Sequence, residues 1–399
     1  MFFDKVSEAK PDPIFGLLGT FREDPRKQKV NLMVGIYKDD NLKAELINSS
    51  RKAQEQILKD ELIADYLPID GMGEMVALLG SVIFGDADWK SAQDRIYGAH
   101  TTGGTGALRI GAEFLLREVT QTICIPNHTW PNHHSVFEHA GCKVESYPYY
   151  SRVKGGFDLD AMLAYLRHLP EKTAVLLHAC CHNPTGCDPS IAQWNEISRV
   201  MKEKHLLPFF DFAYQGLGDG IEKDAESVRI FLRDGHEMLI AYSCSKNFSM
   251  YCQRVGALFV IDGSSTVKLR VGSQIKTIIR ALYSNPPAHG ARIVCEVLKN
   301  QELRQLWLKD LEGMRRRLNM MRESLIQRLV GRAKHLNFET LRSHKGMFSF
   351  IDLDKTQVQK LIDKFAIYLT DNGRISVAGL TTKNINYVVN SLASVCEEQ

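Results

Sequence analysis

Met238-Leu239-Ile240-Ala241-Tyr242-Ser243-Cys244-Ser245-Lys246-Asn247-Phe248 is an apolar run that stops at serines and a lysine. A short apolar run of this kind reads as a buried strand. Lys246 then lies just past the strand's carboxyl end, the edge at which open α/β sheets bind ligands. An amine there, beside Ser243 and Ser245, is suited to holding an aldehyde as a Schiff base. By itself the same lysine also reads as a solvated loop residue.

Working outward, further short apolar runs alternate with helical patterns between about Ser50 and Asn300. The expected strands are Arg95–Tyr97, Thr122–Ile125, Lys143–Tyr147, Ala174–Ala179, Pro208–Asp211, Leu239–Ser243 and Val255–Ile261. Helical stretches such as Gly104–Val119, Ile191–Lys204 and Ala225–Arg233 separate them. This alternation predicts an α/β fold, a mainly parallel sheet with helices on both faces. After Asn300 a long charged helix, Gln301–Leu329, leads to the strand-like Met347–Asp352, the helix Thr356–Phe365 and the strand-like Arg374–Val377, a smaller α+β unit that Val30–Tyr37 joins as a strand. The expected division is an arm over 1–12, a smaller domain from 13–44 and 312–399, and a larger one over 45–311.

A chain of 399 residues, 44% hydrophobic, buries a sizeable core. Its net charge of +3 is small, with charges interspersed, so there is no footprint for nucleic acid or an anionic membrane surface. Arg315-Arg316-Arg317 reads as a solvated helix face opposite Leu311, Met314, Leu318 and Met321. Met1–Lys5 has no signal-peptide pattern and no apolar stretch spans a bilayer. The nine cysteines form no CxxC pair, and Cys180-Cys181 read as small core residues. Reduced thiols in a cytoplasmic protein are expected. Residues 1–25, rich in Pro and Asp, read as a poor independent folder that lies on a partner.

Four segments carry chemistry. In Thr101-Thr102-Gly103-Gly104-Thr105-Gly106-Ala107-Leu108, glycines open a helix, which suits a phosphate: backbone N–H groups approach closely and the helix dipole helps. It lacks the lysine of a Walker A loop and the GxGxxG spacing. Asp211-Phe212-Ala213-Tyr214 puts a carboxylate at a strand end, able to keep a pyridine nitrogen protonated, with Tyr214 for a phenolic oxygen. An Asp there also reads as a turn former. His178–Gly186 ends in Asn-Pro-Thr-Gly, turn chemistry in which Asn183 can also bond a cofactor oxygen; His178 and His182 lack a third ligand, so no metal is expected. Arg280 and Arg374 each suit a carboxylate, and two such clamps suit a dicarboxylic substrate.

Together these segments resemble the class I aminotransferases, pyridoxal-phosphate enzymes of fold type I, most closely the aspartate and aromatic amino-acid branch. The resemblance runs from Pro13-Ile14-Phe15 to Val377-Ala378-Gly379. It is carried by Tyr66–Gly71, Gly103–Leu108, His182–Gly186, Asp211–Gly216, Ser243–Phe248, Tyr283–Gly290 and Gly373–Gly379. It implies that Lys246 holds pyridoxal 5'-phosphate as an internal aldimine and shuttles the Cα proton. It assigns Asp211 to the pyridinium nitrogen, Asn183 and Tyr214 to the phenolic oxygen, and Trp130 to the ring face. Gly103, Gly104, Thr105, Ser243, Ser245 and Arg254 fall to the phosphate, and His133 to the support of Asp211. Arg374 is assigned the substrate α-carboxylate, with Gly35, Trp130 and Asn183 beside the substrate. Tyr66 and Arg280 are implied to come from the neighbouring subunit of a homodimer. Departures are Ala281-Leu282 after the arginine, Met33 and Leu42 where glycines are common, and Gly103 where some members carry serine.

The implied reaction is transamination of aspartate, aromatic amino acids or both, with 2-oxoglutarate as acceptor and ping-pong kinetics. The alternatives are a β-lyase or β-decarboxylase using the same cofactor, or a non-catalytic sensor or interaction protein. Both substrate arginines argue against the first. The retained lysine and the lack of an added DNA-binding domain argue against the second.

Overall fold

The structure, a computed structural model, describes residues 1–9, 12–59, 64–332 and 337–397. Its centre is a seven-stranded sheet. We number its strands β1 (Ile96–Thr102), β2 (Thr122–Pro126), β3 (Lys143–Tyr147), β4 (Ala174–His178), β5 (Leu207–Phe212), β6 (Met238–Ser243) and β7 (Val255–Ile261). The order across the sheet is β1-β7-β6-β5-β4-β2-β3. Only β7 runs against its neighbours, β1 and β6; the other pairs are parallel.

Strands β4, β6 and β7 are buried throughout, which is why they read as continuous apolar runs. Period-two alternation splits their side chains between two cores. Phe209, Leu239 and Leu258 pack on one face with Leu108 and Ile275, from the helices Gly103–Glu118 and Ser265–Leu282. Phe210, Ile240 and Phe259 pack on the other with Trp194 and Phe231. The helix Gln301–Leu329, capped by the Asn300 side chain, buries Leu311, Met314, Leu318 and Met321 in that second core, as its spacing predicts.

Beyond the sheet, Phe348–Phe350 pairs antiparallel with Arg374–Ser376, and Val30–Asn31 pairs parallel with Ile367–Tyr368. Four expectations change here. The strand expected over Val30–Tyr37 is only Val30–Asn31. Past it the backbone bonds elsewhere: the Ser376 N–H donates to the Leu32 carbonyl, and the Tyr37 N–H to the Tyr251 hydroxyl. Within the supposed poor folder of residues 1–25, Pro13–Glu23 is a helix, with proline at its first position and Leu17, Leu18 and Phe21 packed toward Met33 and Tyr368. Residues 10 and 11 of the expected arm lie outside the described residues; Met1, Phe2, Phe3 and Val6 are exposed. Strand β1 is longer than the expected Arg95–Tyr97 and runs straight into the glycines. Finally, Arg315–Arg317 is not a uniformly solvated face. Arg317 donates to the carbonyls of Leu380 and Asp39, and its guanidinium sits 5.7 Å from the Tyr37 ring centre.

Candidate active site

Every parallel strand that bears a candidate residue delivers it at its carboxyl end. β1 leads into Gly103, β5 carries Asp211 and leads to Tyr214, and β6 ends at Ser243. The reversal of β7 brings Arg254, just before its first residue, to the same edge.

Lys246 lies on the turn after β6. Neighbouring side chains fix that turn: Asn247 donates to the Tyr242 hydroxyl (2.8 Å), which donates to Gln215 (2.8 Å), and the Trp307 indole donates to the Asn247 carbonyl (2.7 Å). The Lys246 amine stands 5.0 Å from the centre of the Tyr214 ring. Burial pushes its pKa down to about 8; nearby Asp211 opposes this shift and Arg254 adds to it.

Asp211 ends a directed hydrogen-bond chain. Its Oδ2 lies 2.9 Å from His133 Nε2, His133 Nδ1 lies 2.7 Å from Thr129 Oγ1, and Thr129 Oγ1 lies 3.0 Å from His178 Nε2. A carboxylate only accepts, so a neutral His133 carries its proton on Nε2 and accepts from Thr129 at Nδ1. Thr129 then accepts from His178. Burial pushes His178 down to about 3, so it serves as a neutral donor. Burial alone would raise the Asp211 carboxyl, but the bond from His133 and nearby positive charge outweigh it and hold Asp211 below the usual carboxylate range. Oδ1 is left without a donor among the described residues. Trp130 meets His133 edge-on at 5.3 Å.

The glycines form a cradle with no room for side chains. Gly103 has a φ of 75°, and a Cβ there would lie 2.6 Å from the Arg254 guanidinium; one on Gly104 would lie 3.0 Å from Ser243. Ser243 Oγ, Ser245 Oγ and Arg254 Nη1 follow one another at 3.1 and 3.2 Å. Above them the first N–H groups of the Gly103–Glu118 helix have no intrahelical partners, Thr105 among them. Hydroxyls, a guanidinium and a helix N-terminus at one point form an anion site.

Arg374 is 2% exposed. Nη1 donates to Asn183 Oδ1 (3.0 Å) and Nη2 to the Met33 carbonyl (2.5 Å). Its guanidinium lies 4.4 Å from the Phe348 ring centre, and burial pushes its pKa down to about 10. Among the described residues no carboxylate pairs with it. Phe348 in turn meets the Tyr214 ring edge-on at 6.1 Å, so Lys246, Tyr214, Phe348, Arg374 and Asn183 make one cluster. Gly35 is needed here because a Cβ would strike Phe348 at 2.7 Å.

Two assigned residues stand apart from this cluster. Tyr66 is 87% exposed, and Arg280 is exposed with its guanidinium on the Ser284 hydroxyl. Leu42 holds a left-handed φ of 61°, a conformation that glycine favours. Among the described residues His178 and His182 fall in no group of three potential metal ligands; His182 stacks on Tyr149 at 3.8 Å. Sequence reading gave Thr129 and Phe348 no role. Thr129 had one available signal, its place four residues before His133.

Comparison with known proteins identifies the family. The sequence profile for aminotransferase class I and II matches residues 27–392. The chain belongs to that family. It is 40% identical to the aspartate aminotransferase of Escherichia coli (strain K12) over 394 residues, 98% of this chain and all of that one. It is 41% identical to the cytoplasmic aspartate aminotransferase of Oryza sativa subsp. japonica over 393 residues, covering 98% and 97% of the two chains. The aromatic-amino-acid aminotransferase of Burkholderia pseudomallei, in a structure covalently bound to pyridoxal phosphate, superposes with a TM-score of 0.96 at 42% identity, covering 99% of each chain. An aromatic amino-acid aminotransferase from Psychrobacter sp. B6, cocrystallised with aspartic acid, gives 0.96 at 35% identity, covering 99% of this chain and all of that one. This aminotransferase therefore falls in the aspartate and aromatic amino-acid branch, with the fold type I architecture.

Proposed function

We propose that this aminotransferase uses pyridoxal 5'-phosphate to move the amino group of aspartate, aromatic amino acids or both to 2-oxoglutarate. The observation that carries this is the buried, acid-free Arg374 in contact, through Phe348 and Tyr214, with the Lys246 amine. A buried cation without an acid is costly unless a ligand brings one. The residues also fit the cofactor. The side-chain-free cradle at Gly103 and Gly104, with Thr105, Ser243, Ser245 and Arg254, suits its phosphate. The open Oδ1 of Asp211 suits its ring nitrogen, Asn183 and Tyr214 its phenolic oxygen, and Trp130 its ring face.

When bound, pyridoxal phosphate supplies an electron sink for the electrons left at Cα after proton removal. The chain does the rest. Lys246 would hold the aldehyde carbon and, once released, take and return the Cα proton; its pKa of about 8 suits a base near neutral pH. Asp211, braced by His133, would hold the proton of the ring nitrogen. Arg374 orients the substrate through its α-carboxylate, with Asn183, Trp130 and Gly35 bordering the same space. Amino donor and oxo-acid acceptor use one site in turn, which gives ping-pong kinetics.

Tyr66 and Arg280 fit this scheme through a homodimer with shared sites, Tyr66 reaching the partner's phosphate and Arg280 the distal carboxylate. Their exposure in a single chain and the exposed apolar arm at Met1–Val6 support this. Mixed dimers of Lys246→Ala and Arg280→Ala chains should recover activity, up to about a quarter of wild type if each site behaves independently. No recovery in dimers shown to have exchanged subunits refutes shared sites. The expected division into a larger domain (45–311) and a smaller one (13–44 and 312–399) would place this cleft at a domain boundary, and a cytoplasmic location accords with the free cysteines.

The deciding experiment is an absorbance titration of the purified protein with aspartate, then tyrosine. Conversion of a visible band to a near-ultraviolet one, with 2-oxoglutarate restoring it, is the expected result; the amino acid effective at lower concentration is the preferred donor. Release of ammonia or carbon dioxide without amino transfer would point to a lyase or decarboxylase. Absence of any visible band after added pyridoxal phosphate overturns the proposal.

A further inference from the structure

The turn that follows β4 contains two adjacent thiols, Cys180 and Cys181, that the reaction above does not use. Their sulfurs and an Asp224 carboxylate oxygen all lie within 4.8 Å of one another. Asp224 is already committed to the backbone N–H groups of Gly216, Gly218 and Asp219, at 2.7–2.9 Å. The sulfurs are held less firmly: they hydrogen-bond one another, and Cys181 makes a 4.0 Å contact with the Tyr214 carbonyl. Cys180 lines a cavity of about 560 Å³ together with Trp194, Ile191, Pro189, Asp224 and Lys345. Cys180 is reached first, being 6% exposed against 1% for Cys181.

We propose that Cys180 and Cys181 form a chelating site for a monosubstituted trivalent arsenical entering through this cavity. The chemistry balances without an oxidant. Two As–S bonds form, the As–O bonds break, and both thiol protons leave with the oxygen as water; arsenic stays trivalent. Asp224, beside both sulfurs, is placed to carry a proton to the departing oxygen. The organic substituent on arsenic is left facing the cavity, where Trp194 and Ile191 supply an apolar wall.

Burial pushes Cys181 up to about 12 and Cys180 well above the usual thiol range. The condensation consumes neutral thiols and leaves no charge in the interior. The assignment does not depend on the transamination proposed above, although Cys181 lies two residues before Asn183 and contacts the Tyr214 carbonyl.

The test is phenylarsine oxide added to the holoenzyme and read by intact mass. The expected result is one phenylarsenic group per chain. It should persist in Cys252→Ser, which removes the exposed cysteine. It should be lost in both Cys180→Ser and Cys181→Ser. Excess 2,3-dimercaptopropanol should release it and a monothiol at equal concentration should not, because two sulfurs hold it. Should either serine variant fail to fold, proteolytic mapping of the unmutated adduct decides, with arsenic expected on a peptide containing both residues. No adduct on the folded protein, an adduct mapped to another cysteine, or release by the monothiol overturns the assignment.

Discussion

Replacing Lys246 by alanine should reduce transamination by about 10⁴-fold or more, the combined scale of removing a positioned base and a covalent anchor. The variant should still bind pyridoxal phosphate through the Gly103–Gly104 cradle and Arg254, but without the visible band of the parent. Lys246→Arg, which keeps a positive charge without a free amine, should be equally inactive. A variant retaining full activity would remove the mechanism. The pH dependence follows from burial. In protein stripped of cofactor, only the neutral amine attacks an aldehyde, and burial has lowered its pKa from 10.5 to about 8. Below that value the rate of cofactor capture should rise about tenfold per pH unit, and above it level off. A rise that continues unchanged to pH 10 would show that burial does not tune this lysine.

Asp211→Asn should lower kcat by about 10²- to 10³-fold. The substitution preserves shape, and the new amide oxygen still accepts from His133 Nε2. Its nitrogen then faces the cofactor as a donor and cannot hold a protonated ring nitrogen. The loss corresponds to about 3–4 kcal/mol, the scale of breaking a buried charge pairing. Thermal stability should change far less, because the chain from His133 to His178 stays closed. A variant of unchanged kcat would show that the ring nitrogen needs no carboxylate. One that melts well below the parent would place the role of Asp211 in folding instead.

The sheet was legible because strands buried on both faces must be apolar along their whole length, as Val255–Ile261 is, which matches residue for residue; the edge strand Lys143–Tyr147 also matches, although only Tyr147 in it is buried. β1 escaped because its second half, Gly98–Thr102, is small and polar. Its burial comes from distant packing: a Cβ on Gly98 would lie 2.3 Å from Val76. The candidate residues at strand ends were legible through local chemistry, glycines before a helix and a lysine after a strand. The bracing was not. His178 meets Thr129 from another strand, Phe348 meets Arg374 only through the pairing of Phe348–Phe350 with Arg374–Ser376, and Gly35 has no local reason to be glycine until Phe348 arrives beside it. The roles of Tyr66 and Arg280 rest on resemblance, since a single chain leaves both at its surface.

The reversed strand β7 also bears on heredity. Because it doubles straight back along β6, the amine anchor Lys246 and the anion anchors Ser243, Ser245 and Arg254 occupy one uninterrupted stretch of chain. A recombination event with breakpoints outside that stretch transfers all four as a unit, their mutual fit intact. Asp211, Asn183 and the glycines of the cradle lie on other loops and travel separately. Chimaeras between relatives should therefore fail, when they fail, at the seams between this cassette and those loops rather than within it.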